Sequence, residues 1–123
     1  MSTHLHHWDA LEKKDVISGF QGRFLHTPNL TLSLWNVEPG ALLPEHNHPH
    51  EQITQVLEGT FELTIDGIKN TMQAGSVAII PPHARHSGMA VTSCRLMDIF
   101  FPVREDYRDG NLRAVLNAAS ASQ

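Results

Sequence analysis

Hydrophobic and polar residues alternate in short runs along most of this chain, and turn-forming residues separate the runs. The clearest run covers residues 60–65, where Phe61, Leu63 and Ile65 alternate with polar residues. A period of two is typical of a strand that buries one face. Six further runs also have the character of strands, and they cover residues 15–25, 30–38, 52–57, 69–72, 77–80 and 94–101.

The residues between these runs favour turns. Asp66-Gly67 separates two alternating runs and predicts a hairpin with a type I′ turn, because that turn needs positive φ at both central residues. Further breaks fall at residues 38–40, 58–59, 74–75 and 81–82. Many short strands separated by glycine and proline turns predict an all-β domain, either a sandwich or a small barrel.

The pattern changes after Tyr107. Leu112, Val115 and Leu116 have helical spacing, and residues 118–123 are mostly small and polar. We therefore expect a short C-terminal helix or a frayed tail without a chemical role. The chain divides into an N-terminal segment at residues 1–14, one domain at 15–107 and a tail at 108–123.

Composition and charge exclude several functional classes. A net charge of −4, a pI near 6.1 and the lack of a basic run argue against a nucleic-acid partner. No apolar stretch approaches the roughly 20 residues that cross a bilayer, so we expect no membrane partner. The N-terminus lacks the apolar core of a signal peptide, and the single Cys94 excludes an intrachain disulfide. Both observations predict a cytoplasmic protein.

Nine histidines in 123 residues are the compositional exception, and some have the spacing of metal ligands. His46, His48 and Gln52 are separated by even numbers of residues, so we expect them to share one face of a strand. His86 follows a double-proline turn and could return to them. Three imidazoles and an amide oxygen would form an open site for a divalent ion. The alternative is that the histidines at 46, 48 and 50 decorate a polar loop.

Two stretches resemble the paired motifs of the cupin superfamily. Residues 40–59 follow the first motif, which runs G, five residues, H-x-H, three or four residues, E, six residues, G. Residues 75–86 follow the second motif, which runs G, five residues, P-x-G, two residues, H. The resemblance implies a double-stranded β-helix (a jelly-roll barrel), a fold that often forms homodimers. It also implies a metal held by His46, His48, Gln52 and His86.

The departures from the cupin motifs have chemical consequences. Gln52 stands where the motif usually has Glu, His83 replaces the second-motif Gly, and Ala90 replaces the closing Asn. Without a carboxylate ligand, a divalent ion keeps its full charge, which makes it a stronger electrophile and attracts anionic substrates. The same neutrality disfavours trivalent iron and oxidative chemistry. The ligand set suits nickel, zinc, iron, cobalt or manganese, so metal identity stays open.

A narrower resemblance comes from His-Pro-His-Glu-Gln at residues 48–52 and from Asp98, Phe100 and Arg104 in a D-x-F-x3-R segment. Both are similar to the KdgF-type small cupins of bacterial pectin and alginate breakdown. Those proteins convert cyclic 4,5-unsaturated monouronates into linear ketouronates at a metal held by three His and one Gln. The resemblance implies that Asp98 moves a proton, Phe100 forms an apolar wall and Arg104 pairs with the substrate carboxylate.

Each of these roles has a plainer alternative. Asp98 could be a solvated strand end, Phe100 simple core, and Arg104 one half of a surface ion pair with Glu105 or Asp106. At the level of function, a small anionic sugar or related molecule is the expected partner, together with a second copy of the chain. A metal-dependent dioxygenase and a non-catalytic sugar-binding cupin are the competing functions.

Overall fold

The computed structural model of the chain describes residues 4–109, which form ten strands, a 3-10 turn at Trp8–Ala10 and one short helix. The strands are β1 (Lys14–Ile17), β2 (Phe20–His26), β3 (Thr31–Val37), β4 (Leu42–His46), β5 (Glu51–Glu58), β6 (Phe61–Ile65), β7 (Ile68–Met72), β8 (Val77–Ile80), β9 (His86–Ala90) and β10 (Cys94–Phe101). The helix, α1, covers Glu105–Arg108.

Two antiparallel sheets face each other. One has six strands in the order β1-β2-β3-β10-β5-β8, and the other has four in the order β4-β9-β6-β7. Neighbouring strands are often distant in sequence, because the chain crosses repeatedly from one sheet to the other. This interleaving confirms the all-β, double-stranded β-helix that the motifs implied.

The core lies between the two sheets and follows the alternation in the sequence. Phe61 and Leu63 in β6 point inward and are 1% and 2% exposed, whereas Glu62 between them is partly exposed. Phe20 packs edge-on against both Trp35 and Phe61, with ring centroids 6.2 and 6.5 Å apart. Burying a side chain of this size stabilises the fold by about 1.5–3 kcal/mol.

The Asp66-Gly67 hairpin is confirmed. Ile65 and Ile68 are the last paired residues of β6 and β7, which leaves a two-residue loop. Asp66 has a φ of 48° and Gly67 a φ of 80°. Positive φ at both positions is the requirement of a type I′ turn.

Some strand boundaries differ from the sequence prediction. Residues 15–25 form two strands rather than one, because the chain turns at Gly19, which has a φ of 82°. The strands β4 and β9 were not predicted, since Pro44 and Gly88 interrupt their patterns. A Cβ atom on Gly88 would lie 2.5 Å from the Phe61 ring, so the absence of a side chain at this position leaves room for that ring in the core.

The predicted helix around residues 112–116 lies outside the described residues, and α1 is a separate turn that precedes it. Between residues 4 and 109, no helix combines the length and apolarity that a membrane crossing requires. The predicted domain bounds stay a prediction.

Gly59 closes the β5–β6 turn at a crowded point. Its φ is 88°, and a Cβ atom there would overlap the carbonyl oxygen of Ser93. Gly75 has a similar φ of 94°, with nothing within 4 Å of the corresponding Cβ position. We expect G75A to lower the free energy of unfolding by about 1–3 kcal/mol, the cost of an unfavourable φ. G59A should cost at least about 1 kcal/mol more, because it adds the overlap.

Urea unfolding of the two variants beside the wild type measures this difference. Equal losses in G59A and G75A would contradict it, since only Gly59 meets a neighbouring backbone atom.

Candidate metal centre

The candidate ligands come from both sheets. His46 ends β4 and lies directly opposite His86, which begins β9 in the same sheet. Their ring centroids are 4.2 Å apart. His48 lies in the loop after β4, and Gln52 is the second residue of β5 in the other sheet. The prediction that positions 46, 48 and 52 share one strand face is therefore wrong, because the chain changes sheets between residues 46 and 51.

The side chains converge in spite of this change of sheet because the backbone ties the two motifs together. The N–H of His83 donates to the carbonyl oxygen of His48 at 2.8 Å. His83 has a φ of 68°, the left-handed region that favours glycine, at the position where the cupin motif has Gly. The loop that carries His48 is thereby held against the turn that leads to His86.

Backbone carbonyls set the tautomer of all three imidazoles. Each Nδ1 lies within hydrogen-bond distance of a carbonyl oxygen two residues away, and the pairs are His46 with Pro44 at 2.8 Å, His48 with His50 at 3.1 Å, and His86 with Ala84 at 3.0 Å. A carbonyl oxygen only accepts, so each Nδ1 carries the proton and each Nε2 keeps a lone pair. This arrangement is common around metal-bound histidines.

The lone pairs converge on one point. Nε2 of His86 is buried without a hydrogen-bond partner among the described residues. Nε2 of His48 and Oε1 of Gln52 lie 3.0 Å apart, although both are acceptors in these orientations. Ligand atoms of the three histidines lie within 4.8 Å of one another. A cation would satisfy all four acceptors, so these residues fit a divalent metal.

The histidines are in the protonation state that binds metal. Burial, with a contribution from Arg104, lowers the pKa of His48 to about 3. Burial and the neighbouring His46 lower the pKa of His86 to about 4. Burial also lowers the pKa of His46. The three imidazoles are therefore neutral at neutral pH, as metal coordination requires.

A hydrogen-bonded chain leads from Gln52 to Asp98. Nε2 of Gln52 donates to Oγ1 of Thr54 at 2.9 Å, and that hydroxyl donates to Oδ1 of Asp98 at 2.6 Å. Thr54 and Asp98 are directly opposite in β5 and β10. Thr54 faces inward, as the pleat of β5 predicts. Asp98 is 7% exposed, so it is not the solvated strand end considered as its alternative.

The environment of Asp98 perturbs its acidity. Burial raises the pKa of Asp98 to about 6, and hydrogen bonds from Thr54, Gln52 and Trp35 offset part of that rise. Trp35 is 5% exposed and belongs to the hydrophobic core. Its hydrogen bond to Asp98 was not predicted, because the alternation of residues indicates burial but not which polar group a buried side chain meets.

Phe100 belongs to the core and also to the site. It is 2% exposed, lies opposite Gln52 in the β10–β5 pairing, and has its ring centroid 5.8 Å from that of His48. The same ring lines the interior cavity beside the histidines. Phe100 is therefore a core residue that also lines the cavity, and its role as a wall for the substrate stays a prediction.

Arg104 forms an ion pair with Asp106. Its Nε donates to Oδ1 at 3.0 Å and its Nη2 to Oδ2 at 2.7 Å. This is one of the ion pairs expected from the sequence, but it is largely buried, because the side chain of Arg104 is only 5% exposed. The guanidinium carbon lies 4.2 Å from the ring centroid of Tyr107 and 4.8 Å from that of Phe100. Sequence reasoning missed Tyr107, whose position depends on how α1 folds back.

The cavity between the sheets joins these groups. Its polar side is formed by three of the candidate ligands, His46, Gln52 and His86, together with Thr54, Asp98 and Arg104. The apolar side is formed by core residues and by β1, namely Val16, Ile17, Phe20, Leu43, Phe61 and Leu63. A small molecule bound here would meet the candidate metal, a buried carboxyl and a fixed positive charge at once.

Comparison with solved structures supports the fold. An RmlC-like cupin from Shewanella frigidimarina NCIMB 400 is 31% identical, with a TM-score of 0.81 over 86% of this chain and 96% of that one. KdgF from Halomonas sp. is also 31% identical, with a TM-score of 0.75 over 78% of this chain and 90% of that one.

Curated relatives extend the comparison. The H2HPP isomerase of Bacillus subtilis is 28% identical over 99 residues, which are 78% of this chain and 42% of the relative. Gentisate 1,2 dioxygenase 1 of Aquipseudomonas alcaligenes is 35% identical over 69 residues, which are 55% of this chain and 20% of the relative. The chain thus spans less than half the length of these two relatives. The family model described as a cupin domain matches residues 33–100, and the chain belongs to the cupin family.

Proposed function

We propose that this protein is a metal-dependent enzyme that converts a cyclic 4,5-unsaturated monouronate into a linear ketouronate in pectin or alginate catabolism. The observation that supports this most is the hydrogen-bonded chain from Gln52 through Thr54 to Asp98. It places one buried carboxyl beside a ligand set that carries no negative charge. Such a site suits proton transfer on an anionic substrate without oxidation.

One divalent transition metal, which would be nickel, zinc, iron, cobalt or manganese, is the expected cofactor. His46, His48 and His86 would hold it through Nε2, and Gln52 through Oε1. The metal supplies Lewis-acid polarisation of a substrate oxygen, and neutral ligands leave its charge undiminished.

The proposed reaction is an isomerisation. The bond between C1 and the ring oxygen breaks, and C1 becomes an aldehyde as its hydroxyl loses a proton. The ring oxygen becomes the oxygen of an enolate at C5, and the enolate becomes a ketone when C4 gains a proton. No electrons leave the substrate, so a single proton carrier is sufficient. Asp98 takes the hydroxyl proton and returns it to carbon in this scheme.

The residues around Asp98 orient the substrate. Arg104 attracts the uronate carboxylate, and its ion pair with Asp106 holds the guanidinium in place by one edge. The substrate carboxylate therefore shares Arg104 with Asp106. Phe100 forms the apolar wall that keeps water from the reacting atoms.

Two of the comparisons are in line with a non-oxidative reaction, and neither specifies the substrate of this chain. One similar structure is a KdgF and one relative is named an isomerase. The gentisate dioxygenase relative supports a second candidate, a metal-dependent cupin dioxygenase.

The proposed function predicts that the metal-loaded protein accelerates ring opening. Purified protein would be loaded separately with Ni²⁺, Zn²⁺ and Mn²⁺ and incubated with 4,5-unsaturated galacturonate monomer. We expect the linear ketone to form faster than in buffer that contains the same metal, as followed by proton NMR.

Spontaneous opening is the baseline, so a rate equal to that of the metal-only control would overturn the proposal. Oxygen uptake by Fe²⁺-loaded protein with gentisate would instead favour the dioxygenase. Binding of the uronate without turnover or oxygen uptake would favour a sugar-binding cupin.

The predicted homodimer is also retained as a proposal. Val77 and Ile79 in the edge strand β8, and Phe101 in β10, are 59%, 66% and 55% exposed. Exposed apolar side chains on an edge strand are typical of a surface that pairs with another chain. The cytoplasmic location stays a prediction.

A further inference from the structure

We propose that Thr54 is a positioning residue. Its hydroxyl makes the hydrogen bonds between Gln52 and Asp98 run in one direction only, so that Gln52 presents its oxygen rather than its nitrogen to the three histidines. This inference rests on the proposed metal centre. It concerns a residue outside the ligand set and outside the groups that touch substrate.

A glutamine side chain does not choose its orientation by shape. Its oxygen and nitrogen are nearly equal in size, so hydrogen-bond partners decide which atom points where. At Gln52 one end faces Nε2 of His48 and the other faces the hydroxyl of Thr54. Only the oxygen end can bind a metal, because an amide nitrogen has no available lone pair.

The hydroxyl of Thr54 resolves this choice. A hydroxyl has one proton, and Thr54 donates it to Oδ1 of Asp98 at 2.6 Å. Its lone pairs must then accept, and the nearby donor is Nε2 of Gln52 at 2.9 Å. With the nitrogen engaged there, Oε1 is turned towards His48. Through Thr54, Asp98 thus fixes the orientation of the Gln52 amide.

Burial makes the choice strict. Gln52, Thr54 and Asp98 are 6%, 3% and 7% exposed, so water has little access to replace any of these partners. Thr54 and Asp98 are paired residues of neighbouring central strands, which keeps the hydroxyl at a constant distance from the carboxyl. A flipped amide would place Oε1 against the hydroxyl oxygen of Thr54, so that two acceptors face each other, and would turn an N–H towards the proposed ion.

The same direction explains why position 52 is Gln where the cupin motif usually has Glu. A glutamate has no N–H to donate to Thr54, so it would compete with Asp98 for the single hydroxyl proton. Gln52, Thr54 and Asp98 therefore form a matched set. Asp98 requires a donor at the start of the chain, and Gln supplies it.

Metal affinity tests this proposal without any assay of turnover. T54V keeps the shape of the side chain and removes the hydroxyl, and T54S keeps the hydroxyl. Affinity for Zn²⁺ would be measured by competition with a chelator at fixed pH. We expect T54V to bind about 10–100-fold more weakly than wild type, the usual effect of losing a group that orients a ligand. T54S should stay within about threefold of wild type.

The Co²⁺-loaded proteins provide a readout that general destabilisation would not change. We expect the visible absorption bands of T54V to shift, because Gln52 no longer holds its oxygen in place, and those of T54S to match wild type. Wild-type affinity together with a wild-type spectrum in T54V would overturn the proposal. Failure of wild type to bind metal would overturn the metal centre and the inference with it, whereas metal binding without uronate turnover would leave the test of Thr54 intact.

A double variant with the hydrogen-bond directions reversed tests the proposal even if T54V does not fold. In Q52E/D98N, the new Asn can donate to Thr54, and Thr54 can donate to the new Glu. We expect this variant to bind Zn²⁺ at least about tenfold more tightly than Q52E, because the ligand is again oriented. The gain should persist in Q52E/D98N/T54S, which keeps the hydroxyl, and its loss there would contradict the proposal. No gain over Q52E would contradict the proposal.

Discussion

Replacing His86 with alanine should lower the affinity for Zn²⁺ by at least about a hundredfold, because losing a direct ligand costs more than losing a group that orients one. Nε2 of His86 is buried and has no hydrogen-bond partner among residues 4–109, so a bound ion would supply its missing partner. Turnover of the uronate should fall to the spontaneous rate. Chelator competition and elemental analysis of the purified protein measure the metal, and NMR measures turnover.

His83 supplies a matched control. It lies three residues earlier in the same turn, but its side chain is exposed. H83A removes an imidazole of the same kind and should keep metal affinity within about threefold of wild type, because this side chain is not a candidate ligand. Wild-type affinity in H86A, or equal losses in H83A and H86A, would show that the three histidines do not form the binding site.

Replacing Asp98 with asparagine should reduce the rate of ring opening by about 10²–10⁴-fold, the usual contribution of a positioned acid–base group. Metal content should stay at the wild-type level, because the amide oxygen of Asn can still accept the hydrogen bond from Thr54. Single-turnover NMR with metal-loaded D98N separates the two effects.

D15N is the control for charge. Asp15 is an exposed carboxylate in β1, and its hydrogen bond comes from Gln21. D15N removes the same unit of charge from the surface and should leave the rate unchanged within about twofold, because solvent screens a charge of this kind. A rate in D98N close to that of wild type would remove Asp98 from the proposed chemistry.

The sequence predicted those parts of the fold that depend on local pattern. Phe61 and Leu63 alternate cleanly, and Asp66-Gly67 permits positive φ, so β6 and its hairpin follow from a few neighbouring residues. The strand β9 was not predicted, because Gly88 has a poor strand propensity. Its place in the sheet depends on the Phe61 ring that packs over it, which is a contact between distant residues.

The convergence of the four candidate ligands was predicted from the sequence for a reason that proved incomplete. The motif spacing selected the right neighbourhood, but His46 and Gln52 lie in different sheets, and a loop carries His48 between them. Local periodicity cannot reveal a change of sheet. Trp35 beside Asp98 and Tyr107 over Arg104 were missed for the same reason, since strand register and the path of α1 bring them there.

The division of the ligands between the two sheets has a thermodynamic consequence. His46 and His86 belong to the four-stranded sheet and Gln52 to the six-stranded sheet, so only the closed sandwich brings their lone pairs together. An unfolded or opened chain has no comparable site. By linkage, an ion at a thousand times its Kd would add about 4 kcal/mol to the free energy of unfolding. The metal would then link the two sheets, and its removal would lower the free energy required to separate them.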